Sequence, residues 1–132
     1  MTIAIGIILM LHGLVHLWYV VLNQGLVEFR PEMGWTGRSW ILTNFLGADI
    51  TQPLATIFYS LAAISFVIAG IGLITSQNWT RLWIIVASSI SAASILLFWD
   101  GSFKYLVEKG AIGFLLNAAF LISTIWLGWP KP

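Results

Sequence analysis

The chain contains no cysteine, and only 8% of its residues are charged. The absence of cysteine excludes disulfides, thiol catalysis, thioether-attached haem and cysteine-bound iron–sulfur clusters. Six lysines and arginines against five acids leave a net charge of +1, which is too small and too dispersed to favour nucleic acid as a partner. Thiol chemistry and electrostatic binding to DNA or RNA are therefore not expected of this chain.

Hydrophobic residues make up 59% of the 132 residues and form four long apolar segments. Each segment is close to the roughly 20 residues that cross a hydrocarbon core of about 30 Å. The first segment has no basic leading region and no small-residue cleavage site, so we interpret it as a retained transmembrane helix. The sequence predicts an all-α, multi-pass membrane protein, a single domain over residues 1–132. Its four-helix transmembrane bundle would comprise residues 2–22, 53–76, 80–99 and 110–129.

The connection between the first two predicted helices is both polar and aromatic. Pro53 suits the first turn of the second helix, which leaves residues 24–51 for this connection. Residues 38–46 are compatible with a short helix in the membrane interface, with Trp40 and Phe45 directed toward the acyl chains. An extended connection anchored by its tryptophans is the alternative interpretation.

The only two histidines, His12 and His16, both lie in the first apolar segment. Residues four apart share one face of a helix, and Tyr19 continues that face. Ionisable groups are costly inside a membrane and indicate a functional site by default. The histidine face is therefore the main candidate for function.

The other predicted helices carry polar residues at a comparable depth. With a rise of 1.5 Å per residue, Tyr59, Ser91 and Asn117 lie roughly 9–13 Å below the same membrane face, as His16 does. Groups that pointed into lipid would be unpaired, so we expect these side chains to face one another. The predicted ligand-binding residues are His12, His16, Tyr19, Tyr59, Ser91 and Asn117. Simple interhelical hydrogen bonding is the alternative, and the favoured one for the serine.

The histidine pair limits the chemistry of such a site. No Asp, Glu or Cys lies within the four spans to complete a zinc site, so no metal site is predicted. Two ligands one turn apart cannot occupy opposite faces of one haem iron, although a haem with a single histidine ligand stays open. A hydrogen bond to a quinone carbonyl or a lipid hydroxyl, or a proton relay, requires only a histidine and a cavity.

Charged residues outside the spans are predicted to stand at the mouth of this cavity. They are chiefly Arg38, Asp100 and Lys104, together with Arg30, Asp49, Glu108 and Lys109. Asp100 follows the end of the third predicted helix and is expected to reach Lys104, one turn further on. Ordinary solvated charges at a membrane interface are the alternative interpretation.

Two stretches, LHGLVHLWYV at residues 11–20 and FWDGSFKYLVEKGAIGFLLNAAFLI at residues 98–122, resemble a group of small, uncharacterised four-helix bacterial membrane proteins. These proteins carry a histidine and a glycine in the first helix, a tryptophan–aspartate turn and an asparagine in the last helix. The resemblance implies a four-helix fold in the bacterial inner (cytoplasmic) membrane. A fainter likeness to DoxX-type membrane proteins, linked to respiratory quinol or thiosulfate oxidation, implies no residue roles.

Two classes of function remain. In the first, the polar layer around His12 and His16 binds a small hydrophobic or amphiphilic ligand that is quinone-like, lipid-like or haem-like. In the second, the chain is a non-catalytic accessory or oligomeric subunit of a larger membrane complex, or a homo-oligomer. Packing surfaces for it would come from the tryptophans and from Gly70, Gly72, Gly110 and Gly113. A membrane isomerase or oxidoreductase ranks below both, because a second ionisable group lies only at the helix ends.

Overall fold

The computed structural model describes residues 1–28 and 30–131, and these residues form five α-helices and no strand. The helices are α1 (Thr2–Asn23), α2 (Leu42–Leu46), α3 (Ala48–Ile74), α4 (Thr80–Leu97) and α5 (Ala111–Ile125), with a 3₁₀ turn at Pro31–Met33. The predicted all-α class is confirmed. By length and composition α1, α3 and α4 can each cross a membrane, whereas α5 is apolar but shorter, at 15 residues.

Two predicted helix boundaries are wrong. The helix α3 begins at Ala48, directly after Gly47, and Pro53 lies inside it rather than at its start. Pro53 has no N–H to donate to the carbonyl of Asp49, one turn earlier, and Asp49 is exposed. The helix α5 ends at Ile125 rather than at 129, because the chain reverses at Gly128 (φ +67°) and the Trp129 N–H bonds to the carbonyl of Ser123.

The helices α1 and α3 pack closely because small residues face each other. A Cβ atom at Gly70 would lie 2.6 Å from the carbonyl oxygen of Gly6. One at Gly13 would lie 2.6 Å from the Cβ of Phe66. In space the helices follow the order α1, α3, α4, α5, and the backbone contact between α1 and α5 is sparse. The two ends of this row therefore leave a gap between them.

The first long connection is held against the end of α4. The hydroxyl of Ser39 donates to the carbonyl of Leu97, and the indole N–H of Trp40 donates to that of Leu96 at 2.7 Å. These bonds cap carbonyls that a helix end leaves unpaired, which is consistent with α4 ending at residue 97 rather than 99. The predicted interfacial helix over residues 38–46 is reduced to α2, and the side chain of Phe45 is 83% exposed.

Replacing Gly13 by valine should separate α1 from α3. The new side chain would overlap Phe66, and overpacking of this kind costs about 1–3 kcal/mol. We expect a lower unfolding temperature in detergent, followed by size-exclusion chromatography after heating. The control Ala4→Val adds methyl groups to an exposed position of the same helix and should leave that temperature unchanged. Equal behaviour of the two variants would contradict the close packing.

Candidate functional site

Both histidines are held on the inner face of α1. His12 and His16 are four residues apart, and the side chain of His16 is only 2% exposed. The Nδ1 of His16 lies 2.9 Å from the carbonyl oxygen of His12, one turn back along the helix. The ring of Phe66 on α3 packs edge-on against the His12 ring, with centroids 4.7 Å apart. The imidazoles therefore sit against an apolar wall that offers them no polar partner.

The polar partners of the histidines come from α4 and α5. His12 Nε2 lies 3.0 Å from Asn117 Oδ1, and Asn117 Nδ2 lies 2.7 Å from Ser91 Oγ. The same Ser91 oxygen lies 2.5 Å from His16 Nε2. Together with the bond from His16 to the His12 carbonyl, these contacts close a hydrogen-bond circuit that joins three helices. Asn117 and Ser91 are fully buried.

The partners in this circuit assign the protons on both rings. Carbonyl oxygens only accept hydrogen bonds, so His16 carries its proton on Nδ1 and His12 carries its proton on Nε2. The remaining His16 nitrogen, Nε2, then accepts from the Ser91 hydroxyl, and that hydroxyl accepts from Asn117. Every bond has one donor and one acceptor with both histidines neutral. Within residues 1–28 and 30–131, His12 Nδ1 alone of the four ring nitrogens has no hydrogen-bond partner.

Tyr19 and Tyr59 form the next layer toward the loops. Their rings stack with centroids 4.9 Å apart, and the Tyr59 ring lies 6.2 Å from that of His16. The Tyr19 hydroxyl donates to the carbonyl of Glu108 at 2.6 Å. The structure therefore joins four of the six predicted residues by direct hydrogen bonds and stacks the other two beside them.

A cavity of about 550 Å³ occupies the gap between α1 and α5. Its polar side chains include His12, His16 and Tyr19, whereas Ser91, Asn117 and Tyr59 lie behind its wall. The rest of the wall is mainly apolar, with Val15, Ile95, Val107, Ile112 and Leu116. One polar edge inside an apolar cleft is typical of sites for small hydrophobic molecules.

The charged residues at the mouth are only partly the predicted ones. Arg38, Asp100 and Lys104 do not line the cavity, whereas Glu108, which was predicted at the mouth, and Glu32 do. The sequence prediction missed Glu32, because nothing in the sequence tells which two helices border the cavity. No group of three potential metal ligands occurs in the described part of the chain.

The expected contact between Asp100 and Lys104 is replaced by another ion pair. Residues 101–110 form turns rather than a helix, so spacing by four does not bring Lys104 to Asp100. Lys109 Nζ lies 2.9 Å from Asp100 Oδ1 instead, and its side chain is buried. Burial by itself raises the pKa of Asp100, but hydrogen bonds from Lys109 and from the Ser102 N–H outweigh it and lower that pKa below its usual range.

The serines of α4 allow a matched test of the circuit. Replacing Ser91 by alanine leaves Asn117 Nδ2 and His16 Nε2 without a partner, which should cost about 1–3 kcal/mol of stability. Ser88, one turn earlier, is equally buried, and its hydroxyl has no partner among the described residues. Ser88→Ala should therefore be neutral or slightly stabilising. The unfolding temperatures in detergent decide the matter, and equal losses would rule out a special role for Ser91.

Replacing Asp100 by asparagine should destabilise the segment that leads into α5, by about 1.5–3 kcal/mol near neutral pH. The folded-state pKa of Asp100 is lowered, so its stabilisation is complete above the unfolded value of about 4 and is lost as the pH falls through the folded value. The difference between the original protein and the variant should shrink over that acidic range. Glu28→Gln, at an exposed acid, is the control, and a difference that does not depend on pH would contradict the ion pair.

No protein-family model, no curated protein and no solved structure matches the chain. The resemblance to small bacterial four-helix membrane proteins therefore stays a prediction. What the site can do has to be argued from its geometry.

Proposed function

We propose that this chain is an integral membrane protein that binds a small hydrophobic or amphiphilic molecule in the cavity between α1 and α5. The cavity itself is the observation that carries the proposal. It is large enough for a small ligand, its walls are apolar, and two neutral histidines stand at one edge.

Location in a membrane is supported by the distribution of polar and apolar residues. The interior holds fully buried Ser91, Ser94 and Asn117, while large apolar side chains such as Leu11, Leu14 and Ile64 are exposed. In water this arrangement would leave a large apolar surface unprotected, whereas lipid solvates it. We propose α5 as the fourth span, because the exposed Trp126 and Leu127 extend its apolar length and a bilayer can thin to match a short helix.

Haem has a single candidate ligand atom in this site, His12 Nδ1. An axial ligand must offer a nitrogen lone pair to the iron. Both nitrogens of His16 and the Nε2 of His12 are already engaged in hydrogen bonds. Ligation through either Nε2 would break the circuit and leave Asn117 or Ser91 unpaired in the interior. Haem would therefore have to bind through His12 Nδ1, whereas a ligand held by contact and hydrogen bonding needs no ring nitrogen as a metal ligand.

The accessory-subunit alternative loses one of its arguments. The glycines that were expected to offer packing surfaces to a partner already pack within the chain. A Cβ atom at Gly70 or Gly72 would collide with α1 or with Trp79, and one at Gly110 or Gly113 would lie 3.2 Å from Ile95 or 3.3 Å from His12. Gly70 and Gly72 are therefore buried inside the chain, and Gly110 and Gly113 line the cavity rather than an outer surface.

Two adjacent leucines of α5 provide the test. Leu116 lines the cavity, whereas Leu115 is exposed and does not. Leu116→Trp should fill the cavity and abolish a small-molecule adduct in native mass spectra of protein purified in mild detergent. Leu115→Trp should retain the adduct. Loss of the adduct in both variants, or no adduct in any sample even after a hydrophobic probe is added, would overturn the proposal.

A further inference from the structure

The side chains that line the cavity have no hydrogen-bond donor to spare in the described part of the chain. The imidazole N–H of His12 bonds to Asn117, and that of His16 bonds to a backbone carbonyl. The indole N–H of Trp18 donates to the carbonyl of Met33 at 3.2 Å. The hydroxyl of Tyr19 donates to the carbonyl of Glu108. A ligand that needs a side-chain donor would have to displace one of these bonds.

The cavity does offer hydrogen-bond acceptors. Deep in the cleft the lone pair of His12 Nδ1 is unused, and at the mouth two acidic residues, Glu32 and Glu108, line the cavity. The lining, as far as the chain is described, includes no lysine or arginine. The side chains of this cavity therefore suit a group that donates a hydrogen bond and carries no negative charge.

Gly113 keeps the free edge of His12 uncovered. A Cβ atom at Gly113 would lie 3.3 Å from His12 Cε1, the carbon between the two ring nitrogens. Gly113 also lines the cavity, in the first turn of α5, which has no side-chain cap. The N–H groups of a first helical turn have no partner within the helix. The N–H of Ala111 bonds to the carbonyl of Leu106, and those of Ile112 and Gly113 have no partner among the described residues. A ligand group that donates a hydrogen bond to His12 Nδ1 and accepts one from an N–H of this turn would pair both.

We propose that the ligand of this cavity is a neutral amphiphile whose polar end is a hydroxyl group that donates to His12 Nδ1. This inference rests on the proposed ligand-binding function. A hydroxyl both donates and accepts, whereas a quinone or aldehyde carbonyl only accepts and leaves His12 Nδ1 unpaired. Carboxylate and phosphate heads meet two acidic side chains and no cation. An ammonium head would have to lose its water to reach the histidine.

Four probes of one chain length test the preference: a chain-brominated fatty alcohol, its methyl ether, the aldehyde and the carboxylate. Bromine quenches tryptophan fluorescence at short range, and Trp18 lines the cavity. Protein in phosphatidylcholine nanodiscs is titrated with each probe. The signal is the part of the quenching that an excess of the same probe without bromine reverses, which removes the contribution of tryptophans quenched by probe dissolved in the lipid. We expect the alcohol to bind at least about tenfold more tightly than each other probe.

A variant at His12 adds a second readout. His12→Phe keeps a ring but removes the acceptor, so it should weaken the alcohol to the level of the ether and leave the ether unchanged. If this variant does not fold, the difference in affinity between the alcohol and the ether for the original protein still tests the hydroxyl preference. Equal binding of all neutral probes, or tightest binding of the aldehyde or carboxylate, overturns the hydroxyl preference and leaves ligand binding intact. If the unbrominated competitor reverses no quenching with any probe, ligand binding itself is overturned.

Discussion

The hydrogen-bond circuit of His12, Asn117, Ser91 and His16 joins α1 to α4 and α5, whose backbones have little contact with that of α1. In an apolar interior each unpaired polar group is costly, so these four side chains stabilise the fold only when all of them meet. The bond from His12 to Asn117 spans the gap where the backbones of α1 and α5 are barely in contact. The two helices are thus connected across the gap by side chains and not by backbone packing. The cavity is the part of the gap that these side chains do not fill.

Residue size determines on which side of α1 the cavity forms. On the side facing α3, Gly6 and Gly13 let the two backbones approach so closely that a Cβ atom added at either glycine would collide with α3. Toward α5, the contact consists of longer side chains, and Gly113 leaves space beside the histidine instead of bringing the helix closer. Glycine therefore permits close packing between α1 and α3 but leaves open space between α1 and α5, because different side chains surround it in the two places.

Hydropathy predicted that α1, α3 and α4 exist, although not where α3 begins. Each contains an apolar run of the length that a membrane-spanning helix needs. The depth of each residue along its predicted helix also indicated that Ser91 and Asn117 lie near the histidines, and the structure has them in hydrogen-bond contact. The mouth could not be predicted in this way. Glu32 and Glu108 line the cavity only because two loops fold over the end of one gap, and Lys109 replaces Lys104 because the segment after Asp100 is not helical. Such contacts depend on tertiary structure that local spacing does not encode.

The loops and the gap offer a ligand different routes. At the loop end, Trp18 and Tyr19 are bonded to the carbonyls of Met33 and Glu108, and these bonds hold the loops against α1. Along the gap, the cavity is bordered by the exposed apolar side chains of Val15 and Ile112, which are in contact with lipid if the chain spans a membrane. An amphiphile that arrives from the bilayer then meets apolar walls first and the histidine last. Its polar end loses water before it reaches His12, which costs free energy. A neutral head that donates a hydrogen bond recovers this cost at His12, whereas a charged head or one that only accepts does not.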